Sequence, residues 1–132
     1  MSTTVTGGVY QVADWSTFTF SPSGAEDLIT TPGSIGLATG YQTVVATSPD
    51  LDFSGWSQWM TLLATCSQPD QTAVLFRFKC ATTEGGLAAA SWSAYFAIGD
   101  DGKLQESLLA YGKNNTGFSA GPWAVLEVSL YR

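Results

Sequence analysis

The chain contains no histidine, and few of its side chains carry a charge. Without an imidazole base, Ser-His-Asp and Cys-His catalytic arrangements are excluded. A zinc site is also unexpected, because the two cysteines cannot complete a tetrahedral set of ligands. Charged residues make up 12% of the 132 residues, well below the quarter or so that is usual. A surface with so little charge suits a protein that packs against a partner.

Positive charge is missing altogether from the first 76 residues, which contain six acidic side chains. The remaining residues carry five charges of each sign, and the net charge is −6. Nucleic acid and anionic membrane are therefore not expected partners, because both attract clustered cations. The sequence also has neither a signal-peptide pattern nor an apolar run of about 20 residues, so neither secretion by that route nor a membrane span is expected.

Hydrophobic side chains make up 45% of the chain and aromatic ones 13%, which is typical of a globular domain. Residues 1–7 are small and polar, and we expect a flexible N-terminal arm that orders on a neighbour. Residues 8–132 are expected to form one domain, in which turn signals separate short β-rich segments. The predicted strands are 8–12, 17–20, 27–31, 41–47, 59–67, 72–83, 92–98, 104–111 and 123–131. This pattern predicts an all-β, antiparallel β-sandwich or jelly roll.

Residues 33–40 are predicted to be a loop, residues 87–90 a single helical turn, and residues 99–102 a tight turn. The predicted strand 72–83 alternates Arg77 and Lys79 on one face with Phe76 and Phe78 on the core face. We expect it to form a hairpin with residues 59–67, in a register that places Cys66 opposite Val74, Ala64 opposite Phe76 and Met60 opposite Cys80. The two cysteines would then lie too far apart for a disulfide, and two buried thiols are expected.

The acidic residues suggest two weak calcium sites and no catalytic pair. Asp50 and Asp52 are one residue apart, so in an extended segment both face the same side and could bind Ca²⁺ with loop carbonyls. Asp100 and Asp101 are a second candidate pair. A turn solvated by water explains the same residues more simply, and no cofactor is expected.

The aromatic residues are the other candidates for function. Trp59, Trp92 and Trp123 are expected in the core, because a small sandwich needs large buried side chains. Trp56 and Phe118 lie in predicted loops, so we expect them to contact a partner protein or a ligand.

Three stretches resemble one family. Ser-Pro-Asp-Leu-Asp-Phe-Ser-Gly-Trp at 48–56 is similar to an S-P-x-[IL]-D-x-G entry to a strand, although Phe53-Ser54 stand before the glycine. Phe-Arg-Phe-Lys at 76–79, followed by Ser-Trp-Ser at 91–93, and the closing stretch 121–130 are similar to two further motifs. Together they resemble the galactose-binding-like jelly-roll modules of tailed-bacteriophage virion proteins and related bacterial surface proteins. The resemblance covers about residues 43–132.

The resemblance implies a non-enzymatic virion structural protein that decorates or cements the capsid, or forms part of a head fibre or tail. Its implied partners are a major capsid or tail protein of the same particle and further copies of itself, and assembly would take place in the host cytoplasm. A carbohydrate-binding module, in which exposed tryptophans stack on a glycan, is the alternative. A hydrolase that uses two carboxylates is a weaker third interpretation.

Overall fold

The computed structural model describes residues 2–5, 10, 12, 15–30, 33–53, 61–65, 73–99, 102–107, 111 and 121–131. The described strands are β1 (Ser2–Thr4), β2 (Thr19–Ser21), β3 (Glu26–Thr30), β4 (Gly33–Leu37), β5 (Thr43–Thr47), β6 (Asp50–Asp52), β7 (Thr61–Thr65), β8 (Ala73–Ala81), β9 (Phe96–Ala97), β10 (Lys103–Ser107) and β11 (Trp123–Tyr131). Two 3-10 helices accompany them, η1 (Trp15–Thr17) and η2 (Gly85–Ala89). The prediction of an all-β fold is confirmed.

The main sheet is built around β11, the closing strand. One edge of β11 pairs with β8 along all nine of its residues. The other edge pairs first with β6 and then with β5, which precedes β6 in the chain. Beyond these, β2 pairs with β5, β1 pairs with β6, and β9 pairs with the far edge of β8. Two smaller sheets join β10 to β7 and β3 to β4.

Ser48 lets β11 pair with β5 and β6 in succession, although Pro49 between them has no N–H to donate. The Ser48 N–H donates to the Leu126 carbonyl at 2.9 Å, and the Ser48 hydroxyl accepts from the Leu126 N–H at the same distance. The side chain thus replaces a backbone acceptor at the interruption. This is the structural role of the Ser-Pro pair that opens the 48–56 motif.

The core lies on one face of the main sheet. The alternation predicted for β8 is confirmed, because Val74, Phe76, Phe78 and Cys80 are all buried in one cluster. Cys80 is 1% exposed and carries a reduced thiol, as expected, while Cys66 lies outside the described residues. The cluster also contains Val5, Phe18, Ala46, Leu51, Phe53, Phe96, Ile98, Leu104, Ala124 and Val128.

The predicted hairpin between residues 59–67 and 72–83 is wrong. In the structure β7 pairs with β10, and Ala64 lies opposite Leu104 rather than Phe76. The reason is geometric: a strand has two edges, and Phe76 already has Val128 on one side and Phe96 on the other. No edge of β8 is left at this position for a third partner.

The N-terminal segment also differs from the expected flexible arm. Ser2–Thr4 form β1, which pairs in parallel with β6, and Val5 is buried in the core. The Val5 N–H donates to the Asp52 carbonyl at 2.7 Å, which extends this pairing by one residue. The main sheet is consequently mixed rather than purely antiparallel.

Other segment predictions succeed in part. The loop predicted at 33–40 is wrong for Gly33–Leu37, which form β4 and pair with the predicted strand β3. The turn at 99–102 is confirmed by the 3.0 Å hydrogen bond from the Gly102 N–H to the Gly99 carbonyl. Predicted strand 17–20 is confirmed for Thr19 and Phe20 in β2, whereas Thr17 belongs to η1, and predicted strand 92–98 is shortened to β9. Most of 8–12 lies outside the described residues. The sandwich or jelly-roll arrangement stays a prediction.

Candidate functional site

The candidate site lies on the outer face of the main sheet, opposite the core. Alternation along β8 places Arg77 and Lys79 on this face, and the pairing of β8 with β11 places Glu127 beside Arg77. Trp92 and Tyr95 come from the segment that leads into β9. We call these five residues the Arg77 cluster.

Arg77 and Glu127 form a two-pronged ion pair. The Arg77 Nε donates to Glu127 Oε1 at 2.8 Å, and Nη2 donates to Oε2 at 3.0 Å. The Arg77 side chain is 25% exposed, whereas that of Glu127 is 8% exposed. The matched fork geometry of a guanidinium and a carboxylate makes such a pair directional as well as attractive. It holds the guanidinium in one orientation on the sheet.

The same guanidinium also lies over the faces of two aromatic rings. The Arg77 Cζ atom lies 4.4 Å from the ring centre of Trp92 and 4.8 Å from that of Tyr95. The Lys79 Nζ atom lies 4.7 Å from the ring centre of Trp92. Both cations thus use the negative faces of aromatic rings. A cationic and aromatic surface results, and these contacts fix the orientation of its side chains.

Ser93 fixes the segment that carries the two rings. Its N–H donates to the Phe78 carbonyl at 2.8 Å, and its hydroxyl accepts from the Phe78 N–H at 3.0 Å. The next residue, Ala94, donates its N–H to the phenol oxygen of Tyr111 at 2.8 Å. These bonds hold the segment alongside β8 before β9 begins. The Ser-Trp-Ser motif therefore positions Trp92 against the sheet.

The electrostatics favour a permanently charged Arg77. The pKa of Arg77 is raised above its ordinary value, chiefly by its hydrogen bond to Glu127. Partial burial opposes this rise, while the nearby phenols of Tyr95 and Tyr131 reinforce it together with the charge of Glu127. Tyr131 thus lies close enough to Arg77 to interact with it, and it is 38% exposed. The cluster extends along β11 toward that phenol.

One end of the outer face is covered. Leu87 from η2 packs with Ala81 and Val125 in a second hydrophobic cluster, against which Trp92 and Trp123 are partly buried. Trp92 and Trp123 were expected in the core, but they are only partly buried, and they pack on the outer face instead. Beyond this covered end, the exposed side chains on the described part of the outer face include Tyr95 and Tyr131.

The calcium candidates lie on this same face, nearer the sheet edge. Asp50 and Asp52 both point to one side of β6, and Asp52 is the cross-strand partner of Thr4 and Trp123. Both side chains are partly buried. Among the described residues, no three His, Cys, Asp or Glu side chains come together as a metal site. Asp100 and Asp101 lie outside the described residues.

Trp56 and Phe118, the predicted contact residues, lie outside the described residues, as does Trp59. The Arg77 cluster was missed as a site. Its signal was present in part, because Arg77 and Lys79 alternate with apolar residues along β8 and Glu127 is the charged residue of β11. Within the described ranges, no helix is long and apolar enough to span a membrane.

Comparisons with known proteins identify no relative. No family model matches the chain, and neither a curated protein nor a solved structure matches it.

Proposed function

We propose that this chain is a non-enzymatic structural protein of a bacteriophage particle, a capsid decoration or cement protein or a component of a head fibre or tail. It works without a cofactor, and its partners are a major capsid or tail protein of the same particle and further copies of itself. It resides in the virion after assembly in the host cytoplasm. Two observations support the proposal: the motif resemblance over residues 43–132 and the Arg77 cluster.

The Arg77 cluster carries the assembly part of the proposal. Arginine, tryptophan and tyrosine are the residue types that dominate binding energy at protein interfaces. Here Arg77 is held by Glu127, Trp92 and Tyr95, so little conformational entropy remains to be lost on binding. Tyr95 is 47% exposed and offers apolar area beside the fixed charge.

The pairing of β1 changes how docking would occur. An arm that already pairs with β6 and buries Val5 is not available to order on a neighbour without breaking those contacts. We therefore assign assembly contacts, including those between copies of this chain, to the outer face of the main sheet in place of the N-terminal arm.

Cross-linking mass spectrometry on intact particles from the source tests this function. Five Lys and Arg side chains are few against eleven acidic ones, so a carboxylate-reactive linker is the better reagent. Links between this chain and a major capsid or tail protein are expected. Absence of the chain from purified particles would refute the proposal.

Carbohydrate binding is the alternative function, and the exposed ring of Tyr95 beside a fixed guanidinium favours it. Aromatic faces stack on sugar rings while charged groups bind hydroxyls. A glycan array measures this directly, with alanine variants of Trp56, Phe118 and Tyr95. Loss of glycan binding in those variants, with assembly on particles intact, would support the alternative.

A further inference from the structure

Five residues form a straight row across the outer face, one from each of five neighbouring strands. Their cross-strand registers link Ser21 to Val45, Val45 to Ser129, Ser129 to Leu75, and Leu75 to Ala97. Cross-strand partners point to the same face of a sheet. Ser129 stands at the centre of the row, with two strands on either side. The ends of the row, Ser21 and Ala97, are both exposed.

The two halves of the outer face, on either side of β11, differ in the size of their side chains. On the β9 side stand the rings of Trp92 and Tyr95. On the side of β5 and β2 the exposed positions are small hydroxyl residues, including Thr43 and Thr19. A bulky margin and a small-residue margin of one surface can fit each other when two copies meet face to face.

Ser129 itself lacks a partner. It is 1% exposed, and its hydroxyl makes no hydrogen bond within the described part of the chain. A buried polar group left unpaired costs stability and needs an explanation. A hydroxyl both donates and accepts, so it can pair with an identical hydroxyl across a two-fold axis.

The charges also favour a second copy. With a net charge of −6, two copies repel each other over most approaches. In the Arg77 cluster the charges of Arg77 and Glu127 neutralise each other, which leaves the charge of Lys79, and the row from Ser21 to Ala97 is uncharged. Two such faces meet without the repulsion that other surfaces would impose, and interface centres are typically depleted of unpaired charge.

We propose that the outer face of the main sheet is an isologous interface, in which a second copy of this chain packs about a two-fold axis that runs parallel to β11 over Ser129. Such an axis places Ala97 of one copy over Ser21 of the other, and sets Tyr95 against the small hydroxyl margin. Ser129 then lies beneath the axis, and its hydroxyl, which is 1% exposed in one copy, reaches the other copy only if the side chains that enclose it move. The proposal rests on the structural function given above and names its first partner.

The size of this face predicts a weak contact. Five residues along a strand and five strands across give about 17 Å by 24 Å, or about 400 Å² in projection. A standard interface uses about 800 Å² from each partner. The dimer is therefore expected to form at high concentration in solution, and multivalency on a particle would strengthen it.

Sedimentation velocity over a series of protein concentrations measures dimerisation and tests whether the outer face is the dimer interface. Tyr131→Glu places two carboxylates next to the axis and should weaken dimerisation by about tenfold or more, as expected for a central interface residue. Tyr41→Glu is the matched control, since Tyr41 is similarly exposed at 36% but lies outside β11. Equal loss of dimer in both variants, or a wild-type chain that stays monomeric at the highest concentration, would overturn the proposal.

Site-directed cross-linking tests the axis. A mixture of Ala97→Cys and Ser21→Cys chains, treated with a short bis-maleimide, should give a cross-linked dimer. Ala97→Cys alone should not, because the axis separates the two copies of this residue by about four strand spacings, or about 19 Å. The wild-type chain is the control for cross-linking through the natural cysteines. In a second control, Thr83→Cys, at an exposed position, takes the place of Ser21→Cys and should give no cross-link to Ala97→Cys. Cross-linking of Ala97→Cys to itself would place the axis elsewhere and refute the proposal.

The two proposals can fail separately. A monomer that still cross-links to a capsid or tail protein on particles refutes the homotypic interface and leaves the structural function standing. A chain that dimerises as predicted but is absent from particles refutes the structural function alone.

Discussion

Arg77 on β8 and Glu127 on β11 are cross-strand partners on the outer face of the main sheet, and hydrogen bonds of 2.8 Å and 3.0 Å join their side chains. The two residues are 50 positions apart in the chain. Their pairing therefore depends on the register of the two longest strands, and it orients the guanidinium between two aromatic rings.

Glu127→Gln should destabilise the protein. The amide keeps the shape of the side chain but loses the charge, and a hydrogen bond to a charged partner is worth about 1.5–3 kcal/mol. The loss should be smaller than for a fully buried pair, because Arg77 is one-quarter exposed and water can reach it. Urea unfolding gives the free energy of unfolding. Glu106→Gln, on β10, is the control, and an equal effect in both variants would contradict the structural role of the pair.

Gly121→Ala should be more damaging than an ordinary glycine substitution. A Cβ at this position overlaps the carbonyl group of Ala81 and lies 2.6 Å from the backbone nitrogen of Thr82. Neither is a flexible side chain end, so β8 and β11 must separate locally, at a cost of about 3 kcal/mol. Gly36→Ala is the matched control, because nothing lies within 4 Å of its added Cβ. Thermal unfolding of both variants checks the difference, and equal melting temperatures would contradict the close approach.

How well the sequence predicts a feature of this fold depends on how far apart in the chain the interacting residues are. Alternation along β8 is a local pattern, and it correctly placed Phe76 and Phe78 in the core. The strand pairing was predicted from nearness in sequence, and it failed because Val128 and Phe96 occupy both sides of Phe76.

The candidate site was harder to predict for a related reason. Alternation along β11 separates Glu127 and Ser129 from the residues on the core face, but it does not indicate that both are buried. Their burial comes from neighbours on other strands, and neither the Arg77 contact nor the enclosure of Ser129 has a local signature. The Ser-Trp-Ser motif was noted only as part of a family resemblance, and it did not indicate what Trp92 would contact.

Ser129→Ala should leave the free energy of unfolding of the monomer unchanged or raise it by about 1 kcal/mol, because it removes a buried hydroxyl without a partner. Ser93→Ala is the matched control. Ser93 is similarly buried, but its hydroxyl accepts from the Phe78 N–H and donates to the Ala94 carbonyl. Its loss should cost about 1–3 kcal/mol. Urea unfolding at low protein concentration compares the two, and equal destabilisation would show that the Ser129 hydroxyl has a partner in the monomer.

Tyr10 should make the protein less stable at alkaline pH. Burial against the core raises the pKa of the Tyr10 phenol above 10.0, although its hydrogen bond with Thr17 lowers the pKa in part. The folded state therefore holds this proton more tightly than the unfolded state does. Its contribution to stability is complete below pH 10 and is lost as the pH rises through the higher folded pKa.

Absorbance at the wavelength of tyrosinate during an alkaline titration checks this behaviour. The Tyr10 phenol should ionise above pH 10, and the free energy of unfolding should fall over the same pH range. Tyr10→Phe should remove both effects, because phenylalanine keeps the ring in the core and carries no proton to lose. Tyr41→Phe, at an exposed position, should leave the alkaline fall in the free energy of unfolding in place. A fall that persists unchanged in Tyr10→Phe would mean that a different group couples to unfolding.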